Sequence, residues 1–188
     1  MTKFILHGGG EGGGDSSHDD FFKEIINSLP QRAKVLCVYF AVPDNLVAGK
    51  HVVYVEYFDR NNEEGKDIEL KVASKEDFIE EVRWADAVYF RGGDTNMLLE
   101  QVKKYPEFEE ELLKKNLVAG SSAGVYFLSE WALSSSRDYI YDGLGILPIK
   151  SNCHYKEGKD LSRLDDLSGE LLTLKEGEFT TIVNSIKS

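Results

Sequence analysis

Nowhere in this 188-residue chain is there a run of about 18 uncharged apolar residues, so no helical membrane span is expected. The only apolar start, Phe4-Ile5-Leu6, gives way to His7 and glycine. It is shorter than the roughly 7–15 apolar residues of a signal peptide. Cysteine is scarce: Cys37 and Cys153 are the whole complement, too few for a disulfide framework. With the four histidines they form neither Cys-x-x-Cys nor His-x-x-x-His spacing, which argues against a structural zinc site. Positive charge is also short, with 22 Lys and Arg against 33 Asp and Glu and a net charge of −11. A nucleic-acid binder needs a basic surface to displace counterions, and the one basic cluster, Lys114-Lys115, sits beside glutamates. The acidity reads as solubility. These absences favour a cytoplasmic, reduced compartment, with neither nucleic acid nor membrane as a partner.

What is present is an ordinary globular composition, 41% hydrophobic and 29% charged, in a length suited to one domain over residues 1–188. Apolar runs at 3–7, 34–40, 87–90 and 117–120 read as strands, the longer ones buried on both faces. Residues 67–72 alternate as a strand. Helical spacing places Phe22, Ile25, Ile26 and Leu29 on one face of a helix over 19–29. Residues 44–64 are ambiguous by propensity, but two strands that flank them require a crossover, which favours helix. Further helices are expected from Ser74, a potential cap, to Trp84, over 96–104, over 106–115, and from Ser121 to Glu130. Residues 173–175 and 179–183 suggest a hairpin around Glu176-Gly177. Strands that alternate with helices predict an α/β fold with a mostly parallel, doubly wound sheet and helices on both faces. Sites in such sheets form beyond the carboxyl ends of the strands. That rule selects the loops 8–18, 91–95 and 120–124.

Gly120-Ser121-Ser122-Ala123-Gly124 matches Gly-x-Ser-x-Gly between an apolar strand and an apolar helix. A serine on such a turn has its hydroxyl lifted clear of the backbone, and the N–H groups beyond it can meet an oxyanion. Ser122 holds the motif's central position and Ser121 the variable one. The competing reading is a Gly/Ser turn that merely packs helix on sheet. A serine nucleophile needs a base, and His7, His18, His51 and His154 are the candidates. His154 is favoured by its place after the serine, in Ser151-Asn152-Cys153-His154-Tyr155. The orienting acid could be Asp138, Asp142, Asp165 or Asp166. Arg91-Gly92-Gly93-Asp94-Thr95 can turn backbone N–H groups toward the serine, and it can equally be a β-to-α turn capped by Asp94 or Thr95. The loop Gly8–Gly14 lacks the Gly-Lys-Ser/Thr of a P-loop. It reads as a lid or wall rather than a dinucleotide site.

Three segments, Phe90-Arg91-Gly92-Gly93-Asp94-Thr95, Gly120-Ser121-Ser122-Ala123-Gly124 and Asn152-Cys153-His154-Tyr155, stand in the order and spacing of the dipeptidase E and cyanophycinase group of serine peptidases. The chain resembles that group from the glycine-rich loop to about Tyr155. The resemblance implies a flavodoxin-like, class I glutamine amidotransferase-like fold and a mechanism without metal or other cofactor. It implies Ser122 as nucleophile, His154 as base and Asp138 as orienting acid, with the Gly93 and Ala123 N–H groups facing the oxyanion. The substrate it implies is a small peptide; a preference for N-terminal aspartate is one option that no single residue here carries over, and the expected state is a monomer or homodimer. An amidase or esterase on the same scaffold and a non-catalytic binding protein are the alternatives. The sequence departs from the group at Cys153, where proline is usual, and at Arg91, where a small or apolar residue is common. Arg91 could bind a substrate carboxylate, with Asp94 beside it, or simply be solvated. Only 34 residues follow His154, where the group usually has a longer segment that shapes the substrate pocket.

Overall fold

The structure is a computed structural model, and it describes residues 1–10, 14 and 16–184. Much of the glycine-rich loop, residues 11–13 and 15, lies outside the described residues, so its reading as a lid does too. Strands and helices alternate through the first two-thirds of the chain: β1 (Thr2–His7), α1 (Asp19–Asn27), β2 (Arg32–Val38), α2 (Asp44–Asn61), β3 (Asp67–Val72), α3 (Phe78–Trp84), β4 (Ala87–Phe90), α4 (Thr95–Val102), α5 (Phe108–Leu113), β5 (Leu117–Ser121) and α6 (Ala123–Leu128). Four further strands follow, β6 (Ser129–Leu133), β7 (Ile140–Asp142), β8 (Leu147–Cys153) and β9 (Glu170–Leu174), and then β10 (Phe179–Asn184).

The main sheet has the order β10-β1-β5-β4-β2-β3. Strands β1 to β5 are parallel, and β10 runs antiparallel against β1. Side chains on the central strands alternate between two cores. One face carries Ile5, Val35, Cys37, Tyr89 and Ala119 against α1 and α2. The other carries Phe4, Leu36, Val88, Phe90 and Val118 against α3 to α6. Burial on both faces explains the near-continuous apolar runs, and the doubly wound expectation holds. The ambiguous segment is helix α2, which buries Tyr54, Tyr57 and Phe58. Asp94 caps α4 by accepting from the Asn96 and Met97 N–H groups.

Two expectations fail. The helix after Ser122 ends at Leu128, not Glu130. Ser129 turns extended, its hydroxyl donates back to the Val125 carbonyl, and Trp131 enters β6. Nor do residues 173–175 and 179–183 form a hairpin. Strand β9 pairs in parallel with β8 in a second sheet, order β7-β6-β8-β9, whereas β10 joins the main sheet. Glu176-Gly177 is therefore a crossing between sheets. The second sheet adds Ala132, Tyr141, Leu147, Ile149 and Leu174 to the core shared with α6.

Candidate active site

All three loops selected from the sequence reach one cavity of about 970 Å³ at the carboxyl ends of β1, β4 and β5. Its lining includes Gly10, Arg91–Thr95, Ser122, Ser134–Arg137, His154, Lys156–Lys159 and Glu176.

Ser122 follows the last residue of β5 with φ 49° and ψ −105°. A non-glycine residue seldom adopts this left-handed φ, which costs of order 1–3 kcal/mol and persists only where neighbours over-determine it. Here they do. The Ser122 N–H donates to the His7 carbonyl at 3.0 Å, and its own carbonyl accepts from Val125 and Tyr126 to start α6. Gly124 permits the tight approach: a Cβ there would lie 2.5 Å from the Phe90 carbonyl oxygen. The N–H groups of Ala123 and Gly93 have no acceptor among the described residues.

His154 follows β8, also at positive φ (53°). Its N–H donates to the Gly8 carbonyl at 3.0 Å. Its Nε2 stands 2.8 Å from Ser122 Oγ. Tyr126 of α6 grips the preceding residue twice, accepting from the Cys153 N–H and donating to the Cys153 carbonyl, each at 3.1 Å. Burial pushes this phenol well above its usual pKa, so it stays protonated and able to donate. The helix that begins at the serine thus holds the strand that ends at the histidine.

The carboxylate on the far side of His154 is Glu176, not Asp138. Glu176 Oε1 lies 2.8 Å from Nδ1. Asp138 sits in the β6–β7 turn, outside the cavity lining, and its carboxylate is 80% exposed and paired with Arg163 at 2.9 Å. The segment before it does meet the histidine strand, but through Ser135, which donates to the Cys153 carbonyl and accepts from Asn152. Of the other acids weighed, Asp142, Asp165 and Asp166 are likewise absent from the lining.

The remaining candidates have other places. His51 lies on α2 against the Tyr39 hydroxyl, and burial lowers its pKa. His7 and His18 are buried behind Ser121, whose hydroxyl is also fully buried. Cys153 is buried, with its Sγ 3.9 Å from the carbonyls of His7 and Ser122, so it is a packed neighbour of His154. Arg91 lies in the cavity wall with its guanidinium over the Tyr54 ring, and its buried Nε has no hydrogen-bond partner. Asp94 faces the same cavity and pairs with Arg137 at 3.1 Å. Among the described residues no group of His, Cys, Asp or Glu could hold a metal ion, and no helix is long and apolar enough to cross a membrane.

The model of peptidase family S51 matches residues 4–183. A search of curated proteins returned no match. Among solved structures, a peptidase from an acI-B1 Actinobacterium superposes with a TM-score of 0.72 at 21% identity, over 97% of this chain and 83% of that one. A putative peptidase E protein from Listeria monocytogenes EGD-e gives 0.60 at 18% identity, over 98% of this chain and 100% of that one. At such identities the superpositions speak for the fold. The family match spans nearly the whole sequence and contains every segment that lines the cavity, so this chain belongs to peptidase family S51 and is a peptidase.

Proposed function

We propose that the chain hydrolyses small peptides by a serine mechanism in which Ser122 attacks, His154 is the general base and Glu176 orients it. The observation that carries this reading is the relay Ser122 Oγ–His154 Nε2–His154 Nδ1–Glu176 Oε1, with both links at 2.8 Å. Glu176 accepts from Nδ1, which leaves Nε2 free of its proton and able to take that of the serine hydroxyl. As the tetrahedral intermediate forms, its oxygen would be met by the uncommitted N–H groups of Ala123 and Gly93. A donor of this kind is worth roughly 3–4 kcal/mol of barrier. His154 then gives its proton to the leaving amine, and water releases the acyl group.

Charge in the cavity supports a substrate with a side-chain carboxylate in addition to that of its C-terminus. Its three acids are already paired: Asp94 with Arg137, Glu176 with His154, and Glu157 with Lys175. Arg91, Lys156 and Lys159 line the same space and have no carboxylate partner among the described residues. Small acidic peptides, N-terminal aspartyl dipeptides among them, fit that balance. The test is amino-acid release from Asp-Leu, Leu-Asp and Ala-Leu by the wild type and by Ser122→Ala. Release by the wild type alone, faster for a substrate with a side-chain carboxylate, is expected. Equal rates for both proteins would refute the serine mechanism, and a preference for Ala-Leu would refute the charge argument.

A further inference from the structure

His7 is the last residue of β1 and lies in register with Ser121, the residue before the candidate nucleophile. It is fully buried, stacked on Phe21 at 4.3 Å between ring centroids, and the relay described above does not use it. Its bonds reach three parts of the site. The His7 carbonyl accepts from the Ser122 N–H at 3.0 Å. Its Nδ1 lies 3.2 Å from Ser121 Oγ and accepts from the Gly9 N–H at 3.2 Å. An amide N–H can only donate, so Nδ1 carries no proton and the ring proton of neutral His7 is on Nε2. That atom faces His18 Nδ1 at 3.4 Å.

Gly9 is where this chain of contacts meets the chemistry. A Cβ on Gly9 would lie 2.4 Å from His154 Cε1, so the Gly9 backbone is the wall against which the imidazole packs. The Gly9 carbonyl accepts from the Gly177 N–H, next to Glu176, at 3.1 Å, and the Gly8 carbonyl accepts from the His154 N–H. Residues 8–10 therefore touch the base and the turn that carries its acid, and the one side-chain hydrogen bond to their backbone among those described is that of His7 Nδ1.

We infer that His7 is a positioning residue: through its unprotonated Nδ1 it fixes the Gly8–Gly10 backbone against His154 and so sets the alignment of the base with Ser122. This rests on the relay proposed above. Two amide replacements separate the role from general packing. Asparagine places its Oδ1 where histidine has Nδ1 and keeps an acceptor for Gly9. Glutamine keeps the polarity but moves its amide one bond further out. The measurement is the rate at which a fluorophosphonate labels Ser122 in the full chain, with the imidazole proton resonances of His154 recorded on the same samples. His7→Gln should be labelled at least about ten-fold more slowly than wild type, with His154 resonances shifted. His7→Asn should recover to within about three-fold, with resonances near wild type. Equal rates for the two variants, whether both fast or both slow, would overturn the inference, because position of the acceptor would then not matter. If the wild type itself is not labelled, it is the serine mechanism that fails. The His154 resonances then still decide the positioning role, which is overturned if both variants leave them alike.

Discussion

Replacing Glu176 and Asp138 in parallel tests how His154, the proposed base, is held. Both are acidic and lie after the serine, yet only Glu176 touches His154. Its value can be bounded from its geometry. When His154 becomes an imidazolium, its charge and that of Glu176 are separated by the 2.8 Å contact. Coulomb's law gives about 1.5 kcal/mol at the dielectric of water and about 6 kcal/mol at an effective dielectric near 20. The carboxylate side chain is 66% exposed and the imidazole 33%, so solvent screening puts the pair toward the lower bound. About 1.5–3 kcal/mol of transition-state stabilisation is a reasonable span, equivalent to roughly a 10- to 150-fold loss of kcat for Glu176→Ala. Glu176→Gln keeps an acceptor and removes the charge, so it should fall between wild type and alanine. Asp138→Ala should leave kcat within about two-fold, because that carboxylate is exposed and engaged with Arg163. Steady-state hydrolysis of the best dipeptide, with Tm measured on each variant, is sufficient. If Asp138→Ala lowers kcat more than Glu176→Ala while both remain folded, the assignment of the acid is wrong, and so is the inference from proximity that led to it.

Other consequences can be checked by equally direct means. Arg91→Leu should raise KM for dipeptides with a side-chain carboxylate by roughly 10- to 150-fold, since a hydrogen bond to a charged group contributes about 1.5–3 kcal/mol, and should spare Ala-Leu, which has none; equal effects on both would remove Arg91 from recognition of the side chain. For Asp94, burial raises the pKa, but the Met97 N–H, the Arg137 guanidinium and the Asn96 N–H outweigh it and hold the carboxyl below its ordinary 3.8. The unfolded chain therefore takes up this proton first: the stabilisation is complete above about pH 3.8 and is lost as pH falls through the lower folded value. Acid titrations followed by circular dichroism should show a shallower loss of stability below pH 4 in Asp94→Asn than in wild type, and identical slopes would contradict it. Burial pushes the Cys37 thiol up to about 12, and Cys153 is also buried, so Ellman's reagent at pH 8 should find no fast thiol in the native protein and two after unfolding. A fast native thiol would mean that a core assigned to close packing opens readily.

The sequence was most legible where local chemistry and tertiary environment agree. Lys34–Phe40 and Ala87–Phe90 are uniformly apolar because both faces of the central sheet are covered, and Gly120–Gly124 carries its own geometry in its glycines. Ser122 could be picked out by its Gly-x-Ser-x-Gly turn, and His154 by its place after the serine and by the family resemblance; each directly follows a strand. Glu176 could not. Its partner is 22 residues away and belongs to a different element, and an acid in a Glu-Gly turn resembles any solvated turn. Asp138 was favoured by alignment with a family pattern, a signal that does not report where a carboxylate points. The hairpin reading of residues 173–183 failed for a related reason. Two short strands and a glycine turn satisfy the local pattern of a hairpin, whereas their actual partners, β8 and β1, are set by distant contacts.

That misread turn explains how the site is assembled. Ser122 is supplied by the main sheet and His154 by the second sheet, and the chain between β9 and β10 is where the second sheet hands over to the first. Glu176 lies on this crossing. The crossing is pinned at both ends: the Gly8 N–H donates to the Glu178 carbonyl, and the Tyr155 N–H donates to the Leu174 carbonyl. The acid can therefore reach His154 only when β9 is paired beside β8 and β10 beside β1. An exposed ion pair on a free loop would have to hold two side chains in one geometry against their rotamer entropy. Here the backbone is already fixed by two sheets, so what remains to be ordered is the glutamate side chain alone. In the proposed mechanism, this is how a carboxylate that is two-thirds exposed can still orient His154, and its contribution there depends on the docking of the second sheet as much as on its own charge.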